Sequence, residues 1–189
     1  HLAALGHTVD GIEPSGSFVD MARESFPTVA FRHGAISDLD GTQERWAGLL
    51  AWYSLIHMDG QELPVALATL HRVLEADGQL LLSFFTGPCH GPFAHPAATA
   101  YLWPMDCMVT ALERAGFRVT GRRTQPGAPH AVVTARSERR GQALPRRVGW
   151  LTAATAAKTA MSCEQGYATC GSSAAQSPLA MVGCAERRV

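Results

Sequence analysis

Gly6-His7-Thr8-Val9-Asp10-Gly11-Ile12-Glu13-Pro14-Ser15 reads as a helix end, a short strand and a turn within ten residues. His1 to Leu5 has the character of a last helical turn, and Gly6 stands where a C-cap glycine belongs. Strand residues 8–12 then lead to an acid, Glu13, followed by Pro14 and Ser15. Directly afterwards Phe18, Met21 and Ala22 recur at helical spacing, which predicts a helix from about Gly16 to Ser25. Ser15 is its expected N-cap and Pro27 its stop. A strand, an acid at its carboxyl end and a helix make the repeating unit of an open α/β sheet. Ligands of such sheets lie outside the carboxyl ends of the strands, where an acid can accept hydrogen bonds from both hydroxyls of a ribose. The same acid would also suit the positive end of the following helix.

Further along, the units repeat. Val29 to His33 is the next strand, ending at Gly34, and Trp46 to Trp52 is an apolar run of strand length. Such a run is expected where helices cover both faces of a strand. Leu63, Leu67, Leu70 and Leu74 form a helical stripe ended by Asp77-Gly78, and Gln79 to Phe85 is another buried strand. Residues 87–104, rich in Gly, Pro, His and aromatics, read as a long loop. A helix spans roughly Met105 to Ala115, stopped by Gly116. Phe117–Arg122 and His130–Ala135 then read as strands joined by a loop holding Pro126, Gly127 and Pro129. Strands alternating with helices imply parallel pairing through right-handed crossovers. The last two strands lack an intervening helix and should pair antiparallel at one edge. The fold class expected is therefore α/β, a doubly wound, mostly parallel sheet with a C-terminal antiparallel hairpin.

Composition sets the outer bounds. The 189 residues are 47 % hydrophobic and 17 % charged, which suits one globular domain with a sizeable core. No eighteen-residue apolar run is present, so no membrane span is expected, and no secretory signal pattern opens the chain. The five cysteines have no metal-ligand spacing, so neither a zinc site nor a disulfide framework follows, and a cytoplasmic location is the default. Charge is split. Residues 1–135 carry eight basic and thirteen acidic side chains (−5), whereas 136–189 carry eight and three (+5). The tail is dominated by Ala, Ser, Thr, Gly and Arg without apolar period. Residues 136–189 are therefore expected to be a disordered or weakly helical basic tail, Leu151 to Met161 being its best helical candidate, or an appended interaction arm, after a domain at 1–135. Arg139, Arg140, Arg146 and Arg147 cluster, but no nucleic-acid-binding module accompanies them, so nucleic acid is not an expected partner.

Five segments in succession resemble the class I methyltransferases that use S-adenosylmethionine. Residues 6–15 resemble the second strand of that family and the turn after it. Gly34-Ala35-Ile36-Ser37-Asp38-Leu39 resembles its adenine-side loop, and residues 46–58 its fourth strand and following turn. Gly78 to Phe85 is similar to the fifth strand, and Leu112-Glu113-Arg114-Ala115-Gly116-Phe117 to the step before the terminal hairpin. The resemblance covers residues 1 to about 135. It implies S-adenosylmethionine as cofactor and a small-molecule methyl acceptor, with oligomeric state unassigned. It also implies that the first strand, its preceding helix and the glycine loop, roughly 30–40 residues by the size of a βα unit, are missing. That strand would be central, so its two neighbours are expected to expose open edges.

The resemblance assigns roles by position. Glu13 would hold the ribose with Pro14 beside it, and Ala35 and Ile36 would flank the adenine. Ala51, Trp52, Tyr53 and Ser54 would border the methionine and sulfonium, where aromatic faces can stabilise the positive charge. Family members often carry an acid where Ala35 stands, and Asp38 is the nearby candidate to replace it. His57 is the candidate catalytic base at neutral pH, its alternative being a structural hydrogen bond in the turn. No metal site is expected among His90, His95, Tyr101 and Trp103, which can line an apolar acceptor pocket or cover the sheet edge. Two rival readings remain beside methyl transfer. One is an NAD(P)-dependent oxidoreductase, which also uses an acid after its second strand, and the other is a non-catalytic interaction protein.

Overall fold

The computed structural model describes residues 1–138 and 148–151. Nine strands form one sheet: β1 (Val9–Glu13), β2 (Ala30–His33), β3 (Trp46–Trp52), β4 (Leu74–Phe85), β5 (Gly91–Phe93), β6 (Ala100–Leu102), β7 (Phe117–Thr124), β8 (His130–Ser137) and β9 (Val148–Leu151). Among the described residues three α-helices accompany them: α1 (Gly16–Ser25), α2 (Glu62–Val73) and α3 (Met105–Arg114). Across the sheet the order is β2-β1-β9-β3-β4-β8-β7. The pairs from β2 to β4 are parallel, while β4–β8 and β7–β8 are antiparallel. This is the expected α/β sheet with an antiparallel ending.

The apolar spacing of the sequence explains one covered face. On β8, Ala131, Val133 and Ala135 are buried while Val132 and Thr134 are not, the alternation of a strand packed on one side. Leu49 and Ala51 of β3 and Leu80 and Leu82 of β4 point into the same core. There Leu63, Leu67, Leu70 and Val73 of α2 and Met108, Ala111 and Leu112 of α3 meet them. The opposite face was expected to be covered as well, and over β3 and β4 no helix among the described residues covers it. Ala47, Leu50, Leu81 and Thr134 instead line a cavity of about 560 Å³. Likewise Val19 is the buried residue of α1, whereas Phe18 and Met21 of its apolar stripe are 52 % and 61 % exposed. A stripe at helical spacing reports only that a face is apolar. Among the described residues no element packs over this one.

The main departure lies in the centre of the sheet. Its expected gap between β1 and β3 is occupied by β9, drawn from the basic tail, which pairs parallel with both neighbours. The gap prediction failed because the tail's Val148-Gly149-Trp150-Leu151 is too short to show a period. Gly149 fits the slot for a physical reason. A Cβ there would come within 3.0 Å of Leu49 and 3.1 Å of the Trp46 ring. Trp46 itself is buried and donates its Nε1–H to Asp10 Oδ1 at 2.7 Å, a side-chain link between β3 and β1. The rest of the tail lies outside the described residues, and with it all but the first residue of the helical candidate Leu151 to Met161.

Several boundaries moved. The second helix ends at Val73 rather than Asp77, and β4 starts at Leu74 with a register shift in its pairing between Trp46 and Gly48. Residues 87–104 are not a plain loop. They hold the small β5–β6 hairpin, whose Leu102 pairs with Phe85 at the end of β4. Ser15 does occupy the N-cap of α1, but its side chain makes no capping bond and meets Ser17 Oγ at 3.0 Å. Gly116, read as the stop of α3, has φ of +93°, and a Cβ on it would lie 2.8 Å from His71 Nε2. Gly116→Ala is therefore expected to cost about 2 kcal/mol or more, combining left-handed strain with overpacking against His71. Urea unfolding checks this, and a change within about 0.5 kcal/mol, the range of an ordinary surface substitution, would contradict it.

Candidate active site

Strand register brings the expected site segments to one end of the sheet. Ile12 of β1 lies opposite Leu151 of β9, and Leu151 lies opposite Ala51 of β3. Glu13 and Trp52 are thus level, each one residue past this row and about 10 Å apart at two strand spacings. On the other side Glu13 pairs with His33, and the Gly34 N–H donates to the Glu13 carbonyl at 3.0 Å. The tips of β2, β1 and β3 therefore form one contiguous rim.

Each residue on that rim is fixed locally. Glu13 is 2 % exposed, and its Oε1 accepts the Ser15 N–H at 2.7 Å. The Pro14 carbonyl accepts a bond from His33 Nε2 at 2.9 Å. Asp38 takes the amide of Ala35 at 2.8 Å, and its Oδ2 lies 2.8 Å from where a Cβ on Gly34 would be. A glycine at 34 lets Asp38 fold back in this way. Ile36 opens the 3₁₀ turn Ile36–Leu39 and packs on the core. Ala51 is fully buried, Trp52 is 47 % exposed, and Ser54 Oγ reaches the Trp52 carbonyl at 3.5 Å.

Tyr53 is the strained member. Its φ is +52°, a left-handed conformation that costs a bulky residue roughly 1–3 kcal/mol. Two contacts hold it. The Tyr53 N–H donates to the buried Ser83 Oγ at 2.7 Å, and its hydroxyl lies 2.7 Å from His130 Nδ1. Its ring also packs on Phe85 at 5.1 Å. Burial raises the Tyr53 phenol above its ordinary pKa. Sequence reasoning did not single out His130 or Ser83. Ser83 carried a faint signal, as the one polar residue in the run Leu80 to Phe85.

The segment 87–104 is strapped to the turn after β3. The Tyr101 N–H donates to the Ile56 carbonyl at 2.8 Å, and the Trp103 N–H to the Phe85 carbonyl at 2.9 Å. His57, the candidate base, makes a 2.8 Å bond from Nδ1 to the Thr99 carbonyl. A carbonyl can only accept, so Nδ1 carries the proton and the neutral ring keeps its lone pair on Nε2. The ring of His95 lies 5.3 Å from His57 and has a lowered pKa, chiefly from burial and then from the His57 charge. Burial also lowers His90, against an opposing pull from Asp59. Among the described residues no three His, Cys, Asp or Glu side chains gather as a metal site, and no helix is long and apolar enough to cross a membrane.

Residues 1–78 match the family of methyltransferase domains. No curated protein matches the chain. Solved methyltransferase structures share its fold. A methyltransferase from Methanosarcina mazei aligns with a TM-score of 0.60 at 15 % identity, covering 72 % of this chain and 84 % of that one. The glycopeptide N-methyltransferase MtfA, complexed with sinefungin, aligns at 0.60 and 18 % identity, covering 72 % and 80 %. The 1,6-didemethyltoxoflavin-N1-methyltransferase of Burkholderia thailandensis aligns at 0.56 and 22 %, covering 72 % and 74 %. The first 78 residues thus match a methyltransferase domain, and the sheet with its antiparallel ending has the fold of solved S-adenosylmethionine-dependent methyltransferases.

Proposed function

We propose that the chain binds S-adenosylmethionine across the rim formed by β2, β1 and β3 and methylates a small acceptor beside the 87–104 segment. The observation that carries this reading is the shared level of Ile12, Leu151 and Ala51, from which Glu13 and Trp52 stand level on one rim of the sheet. Glu13 is the ribose acceptor, with Pro14 beside it. Ala35 and Ile36 flank the adenine by backbone and apolar contact, since Asp38 is engaged with the Ala35 amide. Ala51, Trp52, Tyr53 and Ser54 border the methionine end, where the half-exposed indole of Trp52 can stack on the positive sulfur. The donor set suits such a group: one buried carboxylate, apolar turns and aromatic rings. His57 is the candidate base through Nε2.

The bound cofactor would supply an already activated methyl group, so the residues here have three tasks: to align the acceptor, to exclude water and to receive its proton. Two fold neighbours are named for a didemethyltoxoflavin nitrogen and a glycopeptide nitrogen, which supports an acceptor of modest size. The antiparallel β8–β7 ending argues against the nicotinamide-dependent alternative. Calorimetric titration of the full chain with S-adenosylhomocysteine tests the reading. One saturable site per chain is expected, and absence of binding heat at several temperatures would contradict it.

A further inference from the structure

We propose that Tyr53 and His130, in place of the sequence candidate His57, form the acid–base pair of the acceptor site, and that this site takes a flat, uncharged aromatic acceptor bearing an ionisable O–H or N–H. The inference rests on the methyl-transfer reading and adds the acceptor's chemical class to it.

Four observations carry it. First, Tyr53 sits in a left-handed conformation that only a surrounding structure can hold, and such outliers concentrate where a side chain must be aimed. Second, the hydroxyl it presents is bonded at 2.7 Å to His130 Nδ1, reaching from β3 across β4 to β8. Third, aromatic rings surround the pair. Phe85 lies 5.1 Å from Tyr53 and 5.4 Å from His130, with Phe93 5.3 Å beyond it. Fourth, the titratable groups facing this cluster are Tyr53 and His130 themselves, His95 at 5.9 Å from Phe85, and His57 beyond His95. Among the described residues, the ring contacts of this cluster come from aromatic and imidazole side chains. Offset and edge-on aromatic walls favour a planar ring, and a lining without fixed charge favours a neutral one.

The pair has a defined proton path. A neutral His130 whose Nδ1 faces a hydroxyl accepts the Tyr53 O–H, which leaves the Tyr53 oxygen able to accept a bond from the acceptor. As the acceptor atom gains its methyl group, its proton passes to the Tyr53 oxygen and the Tyr53 proton passes to His130 Nδ1. Tyr53 ends neutral, and the imidazolium of His130 holds the displaced proton until solvent removes it. His130 thus acts through Tyr53 as a positioning and proton-receiving residue.

The test uses 4-nitrophenol on the full chain without cofactor, at a pH where the free probe is mostly protonated. The wild type is expected to bind it saturably and to develop the phenolate absorbance band on binding. Tyr53→Phe keeps the ring packing on Phe85 but is expected to bind about fivefold more weakly, the worth of one neutral hydrogen bond, and to lose the band. His130→Asn keeps an acceptor for Tyr53 but cannot take up a proton. It is expected to bind within about twofold of wild type and still lose the band, which a merely structural histidine would not do. No saturable binding by the wild type, or a band that survives in either variant, overturns the proposal. S-adenosylhomocysteine calorimetry on the wild type is independent of this result. Its failure beside intact nitrophenol binding would remove methyl transfer alone.

Discussion

A chain ending at Glu138 is expected to lose cooperative unfolding altogether. The reason is topological. β1 and β3 have no backbone ladder with each other, and β9 is the strand that joins the β2–β1 pair to the rest of the sheet. Removing it leaves two unpaired strand edges in the middle of the molecule and uncovers the side of Trp46. Circular dichroism on heating should show a broad, weak transition, and size exclusion should show aggregates built on the open edges. A sharp transition at the full chain's Tm would place residues 148–151 outside the sheet. Gly149→Val tests the same point without deletion. A side chain there would press on Leu49 and Trp46 at 3.0–3.2 Å, so a loss of about 1–3 kcal/mol is expected. For a chain of this size that is a fall in Tm of roughly 2–12 °C. In an unpaired tail the same substitution would be neutral.

Glu13→Ala is expected to weaken S-adenosylhomocysteine about 100-fold. Two ribose hydroxyls bonded to a buried carboxylate are together worth about 3 kcal/mol, since hydrogen bonds to charged groups exceed neutral ones. The substitution also removes the partner of the Ser15 N–H, so it should lower stability by about 1–3 kcal/mol. Glu13→Gln separates the two effects. It keeps an acceptor for Ser15 but lacks the charge, and is expected to weaken binding about tenfold with little change in Tm. Unchanged affinity in both variants, measured calorimetrically on folded protein, would remove the ribose role while leaving the fold as described.

The parts of this molecule that were legible in sequence are those where local spacing and tertiary packing agree. α1 and β3 fall on the residues expected, because Ser15 and Pro27 punctuate one and an unbroken apolar run marks the other. Glu13, Gly34 and Ala51 stand at strand ends, and strand ends in an α/β sheet are set by short-range signals. β9 was not legible. Four residues in a polar tail cannot announce a central strand, and what fits them there is the absence of a side chain at Gly149 beneath Trp46. Coverage of the second face of β3 was not found among the described residues for a related reason: an apolar run such as Trp46 to Trp52 reports hydrophobicity, not whether a neighbour arrives to bury it. In the candidate site, Tyr53 stood out by its place after β3, but its hydrogen bond to His130, 77 positions away in the chain, exists only through the β4–β8 pairing.

The decisive measurement follows backbone amide resonances while S-adenosylhomocysteine is titrated into the full chain. The amides of Glu13, of Gly34 to Ile36 and of Trp52 to Ser54 are expected to shift together and to saturate with a single Kd. Shifts confined to one of these three segments, or segments saturating at different concentrations, would show that the strand tips do not share a single nucleoside.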